Sequence, residues 1–230
     1  MSTAESTTAN DLSIQDLVTR ARKAQSAYEL FKQEQVDAIV RDIGKYVYDN
    51  AEMLARMAVN ETEMGSYDDK VLKNKGKARV IWNNLKNKKS RGVIGEDSEA
   101  NLVMVAKPMG VVAAVTPVTN PIVTPMCNGM FALKTGNAVI FASHPKAQKC
   151  TEHLASEFMK IIKSYDGPDD LSSPWLTSSC ELDEEGNKTD PECKVTYTLI
   201  LGPENGILPG NISLLIKIKE NENITNYTLH

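Results

Sequence analysis

Lys107-Pro-Met-Gly-Val-Val-Ala-Ala-Val-Thr-Pro-Val-Thr-Asn-Pro121 decides the fold of this chain. Gly110 to Thr116 is nearly all apolar and small or β-branched, the composition of a parallel strand buried on both faces. A proline-bounded turn carrying Thr119 and Asn120 follows, then a helix with Met126, Met130, Ala132 and Leu133 on its apolar side. Gly136 is placed to end that helix as a left-handed cap. A second unit, Thr135-Gly-Asn-Ala-Val-Ile-Phe-Ala-Ser-His-Pro145, repeats the theme. Ala138 to Ala142 reads as a second buried strand, and a helix from about Lys146 to Lys163 turns Leu154, Phe158, Ile161 and Ile162 inward. Together these units read β-α-β-α, the opening half of a nucleotide-binding sheet.

Upstream, residues from about Leu12 to Met64 read as helices. Ile14, Leu17, Val18, Ala21, Ala24 and Tyr28 recur at helical spacing after Ser13, with Asp16 placed for a capping box. Val36, Ile39, Val40, Ile43 and Val47 make a second stripe, and Leu54, Met57 and Ala58 a third. Gly65 is a stop signal, and a further helix is expected over Tyr67 to Leu85. Basic residues crowd that helix and its exit, among them Lys70, Lys73, Lys75, Lys77, Arg79, Lys86, Lys88, Lys89 and Arg91. They read either as a solvated face or as a phosphate-attracting surface near a cofactor mouth. Asn101 to Lys107 alternates as a strand does.

Composition narrows the function classes. Hydrophobic residues make up 41% and charged residues 24% of 230, the balance of a globular protein. A net charge of -4, with no aromatic interleaving along the basic run, argues against nucleic acid as a partner. No apolar run approaches the roughly 20 residues that span a bilayer. The polar N-terminus lacks the basic and apolar regions of a secretory signal, so cytoplasmic residence is expected. His144, His153 and His230 are too scattered to suggest a metal, and no cysteine pair has C-x-x-C spacing.

Beyond Ser164-Tyr-Asp-Gly-Pro-Asp-Asp170, a stretch of strong turn chemistry, the chain changes character near Leu171. Lys194 to Leu201 and Asn211 to Lys219 read as strands of a hairpin joined by Gly202 to Gly210, and Ile224 to Leu229 as the start of a third. Cys180 and Cys193 bracket a polar loop that suits a disulfide in an oxidising compartment. Glycosylation sequons cluster there at Asn187, Asn211, Asn223 and Asn226, against only Asn60 before. The clustering points to an extracellular origin for this segment, although without a signal peptide its modification is not expected.

A dinucleotide-binding sheet usually carries G-x-G-x-x-G after its first strand, because close approach of backbone to a pyrophosphate needs glycine. Here that turn is Thr116-Pro-Val-Thr-Asn-Pro121, without glycine. The two quoted motifs, in this order and separation, resemble those of the aldehyde dehydrogenase superfamily. They are most similar to its coenzyme A-acylating branch, the acetaldehyde and propionaldehyde dehydrogenases. The resemblance covers roughly Leu12 to Leu171.

By that resemblance Val115, Thr116, Pro117 and Val118 line a nicotinamide cofactor at the end of the first strand. Ala142 stands where hydrolytic members carry a lysine that contacts the adenosine ribose, which leaves His144 near the ribose. Asn120 becomes a candidate amide donor to the oxyanion formed on the aldehyde, one position later than the asparagine of hydrolytic members. Its bland alternative is an Asx-turn before Pro121. The implied reaction joins an aldehyde, coenzyme A and NAD to give acyl-coenzyme A and NADH through a cysteine thiolate. The family's cysteine lies well beyond the second βα unit. Cys127 and Cys150 do not match it, and both read as buried thiols on helices.

The tail from Gly210 to His230 is similar, over a short and unspecific stretch, to the N-terminal β-domain of animal M1-type zinc aminopeptidases. The zinc motif H-E-x-x-H is absent. The expected fold is α/β: N-terminal helices, a partial Rossmann-like parallel sheet and a small β-hairpin appendage. The expected organisation is a disordered 1–11, a partial aldehyde dehydrogenase domain over 12–171, and an unrelated β-rich tail over 172–230. The leading functional expectation is a truncated acylating aldehyde dehydrogenase, inactive alone, that takes a small aldehyde, NAD and coenzyme A. It would form homo-oligomers or dock on a full-length dehydrogenase. The alternative is a non-catalytic nucleotide-binding or protein-interaction module.

Overall fold

Four successive helices open the described chain, each laid down by the apolar spacing of its residues: α1 (Ile14–Tyr28), α2 (Gln33–Asp49), α3 (Ala51–Thr62) and α4 (Tyr67–Leu85). The computed structural model describes residues 14–175 and the strands Thr198–Gly202 and Ser213–Lys217. Val36, Ile39, Val40, Ile43 and Val47 of α2 are all fully buried, so this stripe forms the spine of the helical layer. Glu63, in the left-handed conformation, ends α3 ahead of Gly65. The Ser66 hydroxyl then starts α4 by accepting the N–H of Asp69 at 3.2 Å.

The basic stretch ends in a two-stranded antiparallel ribbon, β1 (Gly92–Asp97) and β2 (Leu102–Ala106), with an irregularity between Val93 and Gly95. The sequence reading expected the second strand only. β1 is exposed almost throughout, so it carries no alternation of buried and exposed positions to betray it.

Next come β3 (Val111–Thr116), α5 (Val123–Lys134), β4 (Ala138–Ser143), a 3₁₀ turn (Pro145–Ala147), α6 (Gln148–Ser164) and β5 (Ser172–Trp175). The three strands form a parallel sheet in the order β3-β4-β5. β4, in the centre, is buried at every position, whereas β3 at the edge is only half-buried along most of its length. Helices α1, α5 and α6 pack on this sheet, and Phe141 of β4 meets Phe158 of α6 edge-on at 6.3 Å.

Ser172–Trp175 form β5, the third strand of the parallel sheet. Assigned by sequence to the C-terminal segment, they pair in parallel with β4, Val139 opposite Ser172 and Ala142 opposite Trp175. The turn residues ahead of them and Pro174 within them disguise a strand. Proline is tolerated because β5 lies at the sheet edge, where a missing N–H breaks no inner ladder.

The chain divides into two units, Met1–Leu176 and Thr177–His230. In the second, β6 (Thr198–Gly202) pairs antiparallel with β7 (Ser213–Lys217), Thr198 opposite Lys217 and Gly202 opposite Ser213. The expected third strand at Ile224, the residues 1–11 and Ser13, Cys180, Cys193 and the tail sequons lie outside the described residues. The architecture is mixed α/β with mostly helices, a small parallel sheet and a small hairpin.

Candidate active site

Parallel pairing brings the two motifs to one place. Val115 stands opposite Ala142 and Thr116 opposite Ser143, both at the carboxyl ends of their strands. The N–H of His144 donates to the Thr116 carbonyl at 3.1 Å, extending the ladder by one step. His144 Nδ1 accepts the N–H of Lys146 at 3.1 Å, which fixes the ring at the start of the 3₁₀ turn. In an open parallel sheet this end of adjacent strands is where ligands bind.

Val115 is 41% exposed and offers an apolar surface at the strand end, followed by exposed Pro117 and half-buried Val118. Thr116 is its opposite: 2% exposed, with its Oγ1 lacking a hydrogen-bond partner among the described residues. A buried hydroxyl left unpaired costs about 1–3 kcal/mol, so such groups cluster where a ligand completes them. Side chains alternate along a strand, so exposed Val115 and buried Thr116 project from opposite faces at the end of β3. Ala142 is buried, whereas His144, two residues on, is exposed.

The turn after β3 is held from outside. Lys73 Nζ of α4 donates to Asn120 Oδ1 at 3.0 Å, and Lys70 Nζ reaches the Thr119 carbonyl at 3.5 Å. The Asn120 carbonyl accepts the N–H of Thr124, in the first turn of α5, at 3.2 Å. With Oδ1 taken by a cation, the Asn120 amide turns its Nδ2 away, and that group touches only Thr119 Oγ1 at 3.5 Å. The side chain therefore does not close an Asx-turn. It presents an oriented N–H donor at the rim of a small, solvent-open cleft lined also by Lys70, Lys73 and Ile122.

Lys73 and Lys70 belonged in the sequence to one undivided basic run. The fold separates that run. Lys75 pairs with Glu52 at 3.0 Å, Arg79 stacks on Tyr48, and Arg91 lies 5.1 Å over the Tyr28 ring. No spacing rule marks which lysine reaches Asn120, because the contact spans 47 residues. A second unheralded group is Asn137, whose buried Oδ1 accepts the N–H of Met109 at 2.6 Å and of Gly110 at 2.8 Å. It fixes the chain where β3 begins.

Cys127 of α5 is half-buried and Cys150 of α6 fully buried. Burial pushes both thiols up from their ordinary value, and for Cys150 the adjacent Glu61 carboxylate adds to the effect. Neither is activated as a nucleophile. Among the described residues no group of three His, Cys, Asp or Glu side chains could hold a metal, and no helix is long and apolar enough to cross a membrane.

Comparison with known proteins agrees with this arrangement. Residues 2–173 match the aldehyde dehydrogenase family. The chain is 44% identical over 215 residues to a succinate-semialdehyde dehydrogenase (acetylating) of Clostridium kluyveri, covering 90% of this chain and 48% of that protein. It is 40% identical over 210 residues to a sulfoacetaldehyde dehydrogenase of an Acholeplasma species, covering 86% of this chain and 43% of that protein. An acetylating aldehyde dehydrogenase from Geobacillus thermoglucosidasius superposes with a TM-score of 0.68 at 34% identity, over 70% of this chain and 36% of the other. The chain thus spans about half the length of the curated relatives it matches. The chain belongs to the aldehyde dehydrogenase family, and its homologues include acylating members.

Proposed function

We propose that this chain is the cofactor-binding part of a coenzyme A-acylating aldehyde dehydrogenase, built on a partial Rossmann-like sheet and specific for NAD and a small aldehyde. The observation that carries this reading is the pairing of Val115 with Ala142 and Thr116 with Ser143 at the carboxyl ends of two parallel strands, His144 lying one ladder step beyond. Val115, Thr116, Pro117 and Val118 would hold the nicotinamide end, and His144 with the Ala142 backbone the adenosine ribose. When bound, NAD supplies the hydride acceptor for aldehyde oxidation, and coenzyme A is the acyl acceptor. Asn120 Nδ2 is oriented to stabilise negative charge on the aldehyde oxygen, an effect worth about 3–4 kcal/mol where such donors are preorganised.

The same chain supplies no activated thiol among its described residues, so it is expected to bind NAD without turning over by itself. A full-length dehydrogenase docked on this chain would then provide the nucleophile, whereas a homo-oligomer, the other expected assembly, would not. We place the residues up to about Leu171, with β5, in this domain, and the segment beyond it as a β-rich appendage of separate origin. The cytoplasm is its expected location. Isothermal titration with NAD, together with an assay for NADH formation from acetaldehyde and coenzyme A, tests the reading. Binding without turnover supports it. Turnover by the purified chain overturns the inactivity, and absence of NAD binding overturns the cofactor assignment.

A further inference from the structure

Three lysines of α4 end in different company. Lys75 has a carboxylate, Glu52, at 3.0 Å. Lys70 and Lys73 have only neutral oxygens, the Thr119 carbonyl at 3.5 Å and Asn120 Oδ1 at 3.0 Å. No carboxylate among the described residues lies within 4.0 Å of either. Lys70 is only 8% exposed, and both burial and the charge of Lys73 pull its pKa down. Like charges one helical turn apart repel, and a buried cation without a counter-ion is costly. Lys70 is the buried member and Lys73, one turn on, is exposed, so an anion reaching both from solvent would relieve the pair.

The cleft beside these lysines is small and open to solvent. Ala58, Ile122 and Val123 give it an apolar lining suited to methylene groups, and Asn120 stands beside the lysines. We infer that Lys70 and Lys73 bind the anionic tail, carboxylate or sulfonate, of a short aldehyde whose carbonyl is presented to Asn120. This deepens, and rests on, the reading of the chain as part of an acylating aldehyde dehydrogenase.

The test uses the full 230-residue chain and chemical-shift titration. The probe is 4-hydroxybutanoate, whose alcohol replaces the aldehyde and so forms no imine with lysine. Its neutral counterpart is 1-butanol, and inorganic phosphate is the third arm. The expected result is binding of 4-hydroxybutanoate at least about tenfold tighter than 1-butanol, each 1.4 kcal/mol of charge recognition being tenfold. Lys73→Met, at an exposed position, should remove most of that preference. Lys73→Arg should restore it, and Lys70→Met should weaken it further if that variant folds. Equal binding of acid and alcohol, a preference unaffected by Lys73→Met, or tighter binding of phosphate than of the acid would overturn the inference. NAD titration of the same samples is read separately: its failure, with acid binding intact, would sink the cofactor assignment and leave the anion site standing.

Discussion

The Glu61 carboxylate of α3 lies across the first turn of α6, its Oε2 accepting the N–H of Cys150 at 2.8 Å and its Oε1 that of Lys149 at 2.6 Å. Ala147, the residue at the start of α6, offers no side-chain cap. Glu61 therefore supplies from a distant helix what a local serine or aspartate would normally supply, and its charge also suits the positive end of α6. Glu61→Ala should cost about 1–2 kcal/mol, read as a lower urea midpoint. Glu61→Gln, which keeps one acceptor, should lose less. Equal stability of Glu61→Ala and the parent would show that the cap contributes nothing.

The same contact controls a thiol. Cys150 is buried against Glu61, and Cys127 is raised by its own burial, so both stay protonated at neutral pH. Alkylation by iodoacetamide at pH 7.5 should be on the order of a hundredfold slower than in urea. The folded state also holds these protons longer than the unfolded chain, whose thiols titrate near about 8.5. Stability is thus fully present below that pH and is lost as pH rises toward the folded values. Buried Tyr28, pushed up by desolvation, acts in the same direction at higher pH, whereas Lys70, pulled down, opposes it. A urea midpoint that rises between pH 8.5 and 10.5 would contradict this balance.

Asn137 fixes where the first parallel strand starts. Its Oδ1 takes the N–H groups of Met109 and Gly110, and its Nδ2 donates to Thr135 Oγ1 at 2.8 Å. Asn137→Ala strands both backbone donors at a half-buried position, for an expected loss of about 2–4 kcal/mol. Asn137→Asp keeps the acceptor but forfeits the Nδ2 bonds, so it should fall between the parent and the alanine variant. Hydrogen exchange at Gly110 should speed up in Asn137→Ala and stay slow at Ile140 in the central strand.

Much of this layout is legible in the chain because it depends on local patterns. The α2 stripe, the bounds of α4 and the two parallel strands follow from spacing and β-branched runs that neighbouring residues carry themselves, although only β4 is buried throughout and β3 lies at the edge. The convergence of Val115, Thr116, Ala142 and His144 follows too, since a β-α-β unit in one sheet sets its strands side by side. What escapes is contact between distant side chains and backbone: Glu61 with α6, Lys73 with Asn120, Asn137 with the start of β3. Each depends on how helices dock, and that is decided by the whole core. β5 escapes for a different reason, because Ser172, Ser173 and Pro174 have low strand propensity and are enlisted by the exposed edge of β4.

Thr116 offers the sharpest separation of binding from folding. Its hydroxyl is buried and has no partner among the described residues, so replacing it with the isosteric valine removes an unsatisfied polar group and keeps the shape. Thr116→Val should therefore raise stability, by about 1 kcal/mol, seen as a higher urea midpoint. If that hydroxyl is completed by NAD, the same change should weaken NAD binding about fivefold or more, because a net hydrogen bond is worth roughly 0.5–1.5 kcal/mol. Thr116→Ser keeps the hydroxyl and should retain most of the affinity while losing some packing. Opposite signs for stability and affinity in the valine variant are the signature of a group held ready for a ligand. A variant that loses both would make Thr116 a structural residue, and the cofactor would have to be anchored elsewhere along the ends of β3 and β4.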